Sequence, residues 1–397
     1  MGDTARLSRF AIKLTETTWN VRIGFLGEKA LEKALMASGA RAGLRRLRFL
    51  GLAGIIAAGC ISALSAHGSQ PTARPSARAS QAAERALDGR IRELGRSFNG
   101  EVGIAVRDID SGWGANWHGD RFYPQQSVSK FWVAITALQG ADAGQIDLDQ
   151  RVTVTRQDLT LFHQPIAGQI GANGYTTTLG NLMFRALTQS DNTCNDIVLR
   201  HAGGPRAVRE MLERNRLNGV RFGPGERLLQ AGIAGLQWQP AFSQGNAFYA
   251  ARNAVPVDRR RAAFERYIDD PVDGATPNGI TNGLARLQRG ELLSAASTQR
   301  LLDIMAQTHT GPNRLRGGLA PGWSISHKTG TGQVLGSEQA GYNDIGILHA
   351  PDGHNYALAV MIGRTSTPLA TRMALMQDVV RATIAYHDAA LAESGDR

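Results

Sequence analysis

Strand-like runs lie at the two ends of this chain, with a long helical stretch between them, and that arrangement limits its fold more than any other feature. "EVGIAVRDIDSGWGANWHG", residues 101–119, reads as two strands around a polar Asp-Ser-Gly turn, a hairpin signal. Near the other end, "GWSISHKTGTGQVL", "YNDIGILHA" and "YALAVMIGR" alternate or run apolar in the manner of strands. In between, "SVSKFWVAITALQGA" has the apolar body of a buried helix, and "TTLGNLMFRALTQSDNTCNDIVLRHAGG" reads as helix, break, helix. Helical spacing also marks "AAERALDGRIRELGRSF" near the start and "TRMALMQDVVRATIAYHDAAL" at the end. The order predicts an α+β domain: an antiparallel sheet of N- and C-terminal strands packed against helices, plus an all-helical middle over about residues 135–295.

One charge in the first of those middle helices is out of place. In "QQSVSKFW", residues 125–132, Lys130 is surrounded by Val128, Phe131, Trp132 and Val133. Positions three apart share a helix face, so Ser127 and Lys130 meet one turn apart. A serine at a helix N-terminus has backbone N–H donors and the positive end of the dipole close to its hydroxyl. A lysine takes up a proton only when its pKa is lowered, and burial beside a second cation does that.

Two more short motifs follow in order, Ser190-Asp191-Asn192 and Lys328-Thr329-Gly330. Together with Ser127-Val128-Ser129-Lys130 they form the signature of active-site serine β-lactamases and penicillin-binding proteins. In that setting Lys328 is the second cation and binds a substrate carboxylate, with Thr329 adding a hydroxyl. Gly330 lets a strand lie close to the ligand. The backbone N–H groups of Ser127 and Thr331 form an oxyanion hole. Ser190 relays a proton to the leaving nitrogen, and Asn192 holds Lys130 and the substrate amide.

The resemblance narrows to the class A β-lactamases and covers roughly residues 84–392. "EVGIAVRDIDSGWGANWHGDRFYPQQSVSK" resembles that family's hairpin and nucleophile helix, and "SDNTCNDIVLRHAGG", "NGLARLQRGELLS" and "GPNRLRGGLAPGWSISHKTG" resemble its continuation. The separation of Ser127 from Ser190 is also close to the family's. Members carry E-x-x-L-N in an Ω-type loop, whose glutamate activates the water that hydrolyses the acyl-enzyme. Here Glu226-Arg227-Leu228-Leu229-Gln230 stands at that spacing. The rival Glu265, in "AAFERYI", falls too close to the family-like "DGATP" at 273–277. The resemblance implies hydrolysis of β-lactam antibiotics at the cyclic amide C–N bond, with Ser127, Lys130, Ser190 and Glu226 catalytic. Two alternatives stay open: a penicillin-binding D,D-peptidase or related serine hydrolase, and a β-lactam-binding or sensing domain that deacylates slowly.

Two departures from the family pattern bear on deacylation. Gln230 replaces the asparagine that helps hold the water, and its extra methylene shifts that water. An insertion at about 231–266 lengthens the loop that carries the base, and a loop of that length is functional or ordered by its own packing. With Trp238, Phe242, Phe248 and Tyr249 it is expected to fold over the site or against the domain and to reshape substrate access.

Other residues have two readings. Arg314 supplies a cation for the substrate carboxylate or is a surface arginine, and Arg316 has the same choice. Phe162 and His163 form an aromatic wall or pack a loop. His327 alternates away from the site on its strand, Cys194 is a buried inert thiol, and Arg259-Arg260-Arg261 is a solvated face. Nine histidines without ligand spacing imply no metal, and no cofactor is implied.

The formal charge of +10 is concentrated in the first fifty residues, so nucleic-acid binding is not expected. "RAGLRRLRFLGLAGIIAAGCISALSA", residues 41–66, reads instead as a secretory signal, short for a stable span. Met36 would give such a signal an ordinary length, so residues 1–40 are a mis-assigned start or a disordered extension; an N-terminal extension before an uncleaved anchor is the other reading. Cys60, closing "AAGC", loosely resembles a lipoprotein-processing box and is a candidate lipid anchor, against ordinary cleavage near Ala63 or Ala66. The only other cysteine is Cys194, so the mature domain forms no internal disulfide, which suits a bacterial periplasm. Residues 67–83 read as a flexible linker. The expected partner is a small β-lactam, bound by a monomer.

Overall fold

A computed structural model describes residues 77–395. The signal at 41–66, Cys60, residues 1–40 and most of the linker lie outside the described residues.

The first helix, α1 (Ala77–Ser97), begins inside the stretch read as linker. The correction has a simple cause: "ARASQAAERA" is dominated by strong helix formers, and a helix needs no large apolar side chain in its first turns. Strands β1 (Glu101–Asp108) and β2 (Gly114–Trp117) form the expected hairpin, followed by the short β3 (Tyr123–Pro124). The last strands are β7 (Ser324–Thr331), β8 (Val334–Leu335), β9 (Glu338–His349) and β10 (Asn355–Thr365). The main sheet runs β2-β1-β10-β9-β7, with β8 on β9, and its pairings are antiparallel. The N-terminal hairpin joins the C-terminal strands through β1 and β10, where Ile104 stands opposite Val360.

Both faces of this sheet are covered. Alternate residues of β10 point to opposite sides. Leu358, Val360 and Ile362 pack with α1 and the closing helix α11 (Leu369–Gly395). Ala357, Ala359 and Met361 pack instead into the larger core with the helices of the middle. That middle comprises α2 (Lys130–Asp142), α3 (Leu179–Thr188), α4 (Asn192–His201), α5 (Gly204–Arg214), α6 (Glu226–Ile233), α7 (Ala247–Ala254), α8 (Val257–Asp269), α9 (Pro277–Gln288) and α10 (Ala295–Ala306).

Helix α2 runs through the centre, and every residue from Lys130 to Leu138 is buried. Such a helix has no polar face, and its apolar residues therefore run on without a helical stripe. Trp132 is fully buried, and its indole N–H donates to Gln125 Oε1 at 2.7 Å. The middle is helical apart from two short ribbons. β4 (Arg151–Val154) pairs with β5 (Tyr175–Thr178), and β6 (Gly274–Ala275) pairs with β3. "RVTV" and "YTTT" are β-branched and aromatic runs, a composition that favours a half-exposed pleat over a helical turn.

The inserted stretch is ordered by its own packing. It comprises the end of α6, a 3-10 turn at Pro240–Ser243, α7 and most of α8. Phe242 and Phe248 form a small cluster with Leu161 and Ala234, against which Phe162 and Trp238 pack. Phe264, Tyr267 and Ile268 of α8 form another with Leu229, Ile233, Leu335 and Ala340.

Candidate active site

Ser127 sits in a 3-10 turn, Gln126–Ser129, that feeds directly into α2. Several contacts fix the turn. The Gln126 backbone N–H donates to Asp273 Oδ2 at 2.8 Å, and Asn343 Nδ2 donates to the carbonyls of Pro124 at 2.7 Å and Gln125 at 3.1 Å. Gln126 itself is held at φ 53°, a conformation that costs a non-glycine residue energy and persists only where its surroundings impose it. Gly330 of β7 lies against the same turn: a Cβ there would stand 2.4 Å from the Gln125 carbonyl oxygen. Its missing side chain makes room for the nucleophile's turn.

Lys130 is buried, and its Nζ is ringed by oxygens. It donates to Ser127 Oγ at 2.6 Å, Asn192 Oδ1 at 2.5 Å and the Ser190 carbonyl at 3.2 Å, and it pairs with Glu226 Oε1 at 3.2 Å. An ammonium has three hydrogens, so four oxygen neighbours share them, and Glu226 compensates the buried charge. Lys328, also buried, comes up from β7. Its Nζ donates to Ser190 Oγ and to the Thr329 carbonyl, both at 2.9 Å. Burial, then the charge of Lys130, hold the Lys328 ammonium well below the ordinary lysine range.

The loop between α3 and α4 delivers Ser190 and Asn192. Asp191 caps α4: Oδ1 accepts from the Cys194 N–H at 2.9 Å, and Oδ2 accepts from the Ile166 N–H at 2.7 Å. The aspartate thus ties the helix start to the loop that carries Phe162. Asn192 Nδ2 donates to the Leu161 carbonyl at 2.9 Å. Ser190 and Phe162 both have φ near 60°.

Glu226 opens α6 and is 4% exposed. Its backbone N–H donates to Asp196 Oδ1 at 3.1 Å, and burial followed by the Glu226 charge raises the Asp196 carboxyl to about 6. One turn on, Gln230 shares the Glu226 face, as i and i+4 must. Its Nε2 donates to Glu226 Oε2 at 3.3 Å and to Gln126 Oε1 at 3.0 Å, and its Oε1 accepts from Gln333 Nε2 at 3.0 Å. The extra methylene of Gln230 therefore bridges the base to the nucleophile's turn and to the segment after β7. Gln126 Nε2 continues the chain to the Tyr267 hydroxyl at 2.6 Å, which donates to Asp273 Oδ2 at 3.2 Å. Burial pushes the Asp273 carboxyl up to about 7.

Lys130, Lys328 and Glu226 lie buried beneath a cleft of about 690 Å³, a size that suits a small molecule. Ser127, Ser190, Asn192, Gln230, Thr329 and Thr331 all line it. A second hollow of about 560 Å³, between α3 and α10, shares none of these residues. Thr329 Oγ1 hydrogen-bonds Thr310 Oγ1 at 2.6 Å. Arg314 touches the cleft but is buried and largely committed to the protein. It donates to the Gly330 and Asn343 carbonyls at 3.0 and 2.7 Å and to Thr331 Oγ1 at 2.6 Å, and it stacks 3.8 Å over the Tyr342 ring.

The remaining readings resolve as follows. Phe162 and His163 line the cleft, and His163 Nε2 hydrogen-bonds the Gln189 carbonyl at 2.8 Å. His327 points away, buried against Asp344 at 2.9 Å. Cys194 is buried and free, and burial raises its thiol pKa. Glu265 lies on α8, half exposed and 4.0 Å from Arg261, whereas Glu226 faces Lys130. Arg316 donates to the Ala306 carbonyl at 2.6 Å. The arginine run is not uniformly solvated: Arg259 is exposed, Arg260 is half-buried, and Arg261 pairs with Glu338 across to β9. Among the described residues, Asp108, Asp110 and His354 bring three ligand-type atoms together, but both ring nitrogens of His354 already face the two carboxylates.

Sequence reasoning missed Gln126, Tyr267 and Gln333 in the network beneath the base, and Thr310 and Arg252 in the cleft wall, where Tyr249 of the insertion also stands. Asp273 had a signal, since it begins the "DGATP" segment; the others are ordinary polar residues whose neighbours are remote in sequence.

Residues 86–387 match the Beta-lactamase2 family, described as the beta-lactamase enzyme family. The chain is 25% identical over 299 residues to Beta-lactamase VEB-1 of Pseudomonas aeruginosa, covering 75% of this chain and 89% of that protein. It is 26% identical over 263 residues to the extended-spectrum beta-lactamase PER-1 of the same organism, covering 65% and 73%. Among solved structures, a beta-lactamase from Chitinophaga pinensis superposes with a TM-score of 0.62 at 26% identity, over 75% of this chain and 97% of that one. The TLA-1 extended spectrum beta-lactamase shares the fold, with a TM-score of 0.63 at 23% identity over 77% of this chain and 99% of its own.

Proposed function

The chain belongs to the beta-lactamase enzyme family, and from that premise we propose how its residues divide the work of β-lactam hydrolysis. It is a class A serine enzyme that opens the lactam ring through an acyl-enzyme and so confers resistance to these antibiotics. Ser127 Oγ attacks the lactam carbonyl, and its proton passes to Lys130 or, through a water, to Glu226. The carbonyl oxygen takes up negative charge and is met by the backbone N–H groups of Ser127 and Thr331. When the C–N bond breaks, Ser190 passes a proton to the leaving nitrogen and regains the one taken from Ser127, with Lys328 donating to the Ser190 hydroxyl behind it. Lys328, Thr329 and Thr331 receive the substrate carboxylate, and Arg314 adds positive charge beneath them. Asn192 and Gln230 flank the acyl amide.

In the second half, Glu226 takes a proton from water, whose oxygen attacks the ester carbonyl, and that proton is returned to Ser127 Oγ as the ester C–O bond breaks. The observation that carries this reading is the position of Lys130 Nζ, 2.6 Å from Ser127 Oγ and 3.2 Å from Glu226 Oε1. One lysine thereby joins the nucleophile to the base that must later free it. Mass spectrometry of the protein with benzylpenicillin tests the roles. The parent should turn over with little adduct, Glu226→Gln should hold a stable adduct on Ser127, and Ser127→Ala should form none. Removing a general base of this kind costs about 10²–10⁴-fold in rate. A Glu226→Gln protein that hydrolyses at the parent's rate would exclude Glu226 as the base.

The setting proposed for this chemistry is the bacterial periplasm, with the protein as a monomer exported by the basic-then-apolar run at 41–66. Cell fractionation of the full chain and of Cys60→Ala tests the anchor. Loss of membrane association in the variant alone indicates lipid on Cys60, and a soluble parent indicates ordinary cleavage.

A further inference from the structure

The chemistry above uses one carboxylate of the substrate, received on the β7 side of the cleft. The inserted stretch places a second cation in another part of the wall, beside Gln333 and Val334. Arg252 of α7 lines the cleft with Tyr249, Gln230, Gln333 and Val334. It also borders a small neighbouring hollow formed by the end of α6, Arg260, Phe264 and β8. Thr310, Thr329 and Arg314, which surround the first carboxylate position, take no part in that hollow. Arg252 therefore stands at the Gln230 end, where the acyl side chain lies when Asn192 and Gln230 flank its amide.

The charge on Arg252 is not balanced by the protein. Among the described residues no carboxylate pairs with it, and its Nε is buried without a hydrogen-bond partner. Its guanidinium lies 5.1 Å from the Tyr249 ring centroid and 5.9 Å from that of Phe248, a stack that holds the group in place without neutralising it. No Asp or Glu lines the cleft. Arg260 is close enough to add to the positive field: burial, then the charge of Arg252, lower its proton affinity. A half-buried, oriented and unpaired guanidinium is costly to keep in a free protein and favourable to an anion that can reach it.

We propose that Arg252 forms a subsite for a carboxylate on the acyl side chain, so that the enzyme favours β-lactams whose acyl group is anionic over otherwise identical neutral ones. The subsite rests on the β-lactamase reading above and adds to it the class of substrate.

Benzylpenicillin and its α-carboxy derivative share a nucleus and a phenyl group and differ by one carboxylate, so they test the subsite directly. Kinetics are measured for the parent, Arg252→Gln and Arg252→Lys, with melting temperatures for each. Arg252→Gln should lower kcat/KM for the α-carboxy compound about tenfold, mainly through KM, and leave benzylpenicillin within about twofold, the scale of one charge-assisted hydrogen bond. Arg252→Lys should keep most of the preference, and high salt should erode it in the parent but not in Arg252→Gln. Equal losses on both substrates, or no change on either, overturn the subsite, because a purely structural arginine does not distinguish them. A parent that hydrolyses neither penicillin overturns the β-lactamase reading itself, and the subsite with it.

Discussion

Lys130 and Lys328 are both buried, and they approach Ser190 from different elements, one through its carbonyl and one through its hydroxyl. Placing two ammonium groups in one interior is affordable only because oxygen atoms and Glu226 surround them. Gln230 shows how a single methylene changes a site. Its amide reaches Gln126, Glu226 and Gln333 at once, which a shorter side chain cannot do. Gln230→Asn is therefore expected to slow kcat about tenfold, with acyl-enzyme accumulating in the steady state, rather than to improve the enzyme. Turnover at or above the parent's rate would show that the bridge has no part in deacylation. Asp273 gives a pH test with a definite sign. Its carboxyl sits near 7 in the folded protein because it is buried, against about 4 when unfolded. Between those values the folded state holds a proton that the unfolded state has released, so stability falls as pH rises through the window, and the full cost stands above 7. Asp273→Asn keeps an acceptor for the Gln126 N–H and removes that cost. Its melting temperature should exceed the parent's by a few degrees at pH 8, with the gap closing towards pH 4; a gap that widens on acidification would contradict the assignment.

At the scale of elements, the cleft is framed by pieces whose positions depend on a few ties. Asp191 serves two of them, capping α4 and holding the Ile166 N–H. Asp191→Ala is expected to cost about 2 kcal/mol or more, since it loses a cap and strands a buried donor. It should also reduce kcat, because Ser190 and Asn192 flank the residue it removes; an unchanged kcat would mean that the loop holds itself. Helix α7 is a different case. It is attached through the Phe242, Phe248 and Leu161 cluster, apart from the two large cores. Phe248→Ala should therefore open that segment before the domain unfolds. Limited proteolysis should cut within about residues 237–256 in the variant and not in the parent, whereas general loss of the fold before any such cut would show that α7 unfolds only with the whole.

The whole molecule places its site where the sheet meets the helical middle. Ser127 and Lys130 come with α2, Ser190 and Asn192 with the start of α4, Glu226 with α6, and Lys328 to Thr331 with β7. Asn343 joins the two sides. It sits on β9, donates to the carbonyls of Pro124 and Gln125, and accepts from the Ile362 N–H at 3.1 Å. Asn343→Ala leaves three buried backbone groups without that partner, so a loss of about 2–4 kcal/mol is expected in denaturant melts, together with lower kcat. If stability fell while kcat held, the two sides would be docked independently of this residue. The pairing of β1 with β10 closes the sheet across more than two hundred residues, so the site can assemble only after the most distant contacts have formed.

Period and spacing made much of this legible. The apolar runs at the ends marked the sheet strands, the unbroken apolar body of α2 marked a central helix, and the three motifs with Glu226 marked the groups that the fold gathers around Lys130. Each of these is a local pattern, because a strand, a helix turn or an i, i+3 pair is specified by residues close in sequence. What lay beyond reach was decided by contacts between distant segments. The use of Gly330 against Gln125, the chain from Gln230 through Gln126 and Tyr267 to Asp273, the commitment of Arg314 to β7 and β9, and the exposure of Arg252 to the cleft all depend on which surfaces the folded chain brings together. A glutamine or an arginine carries no mark of its partner in its own neighbourhood, whereas burial, charge and hydrogen-bond geometry are set only when the sheet, the helical middle and the inserted helices have packed.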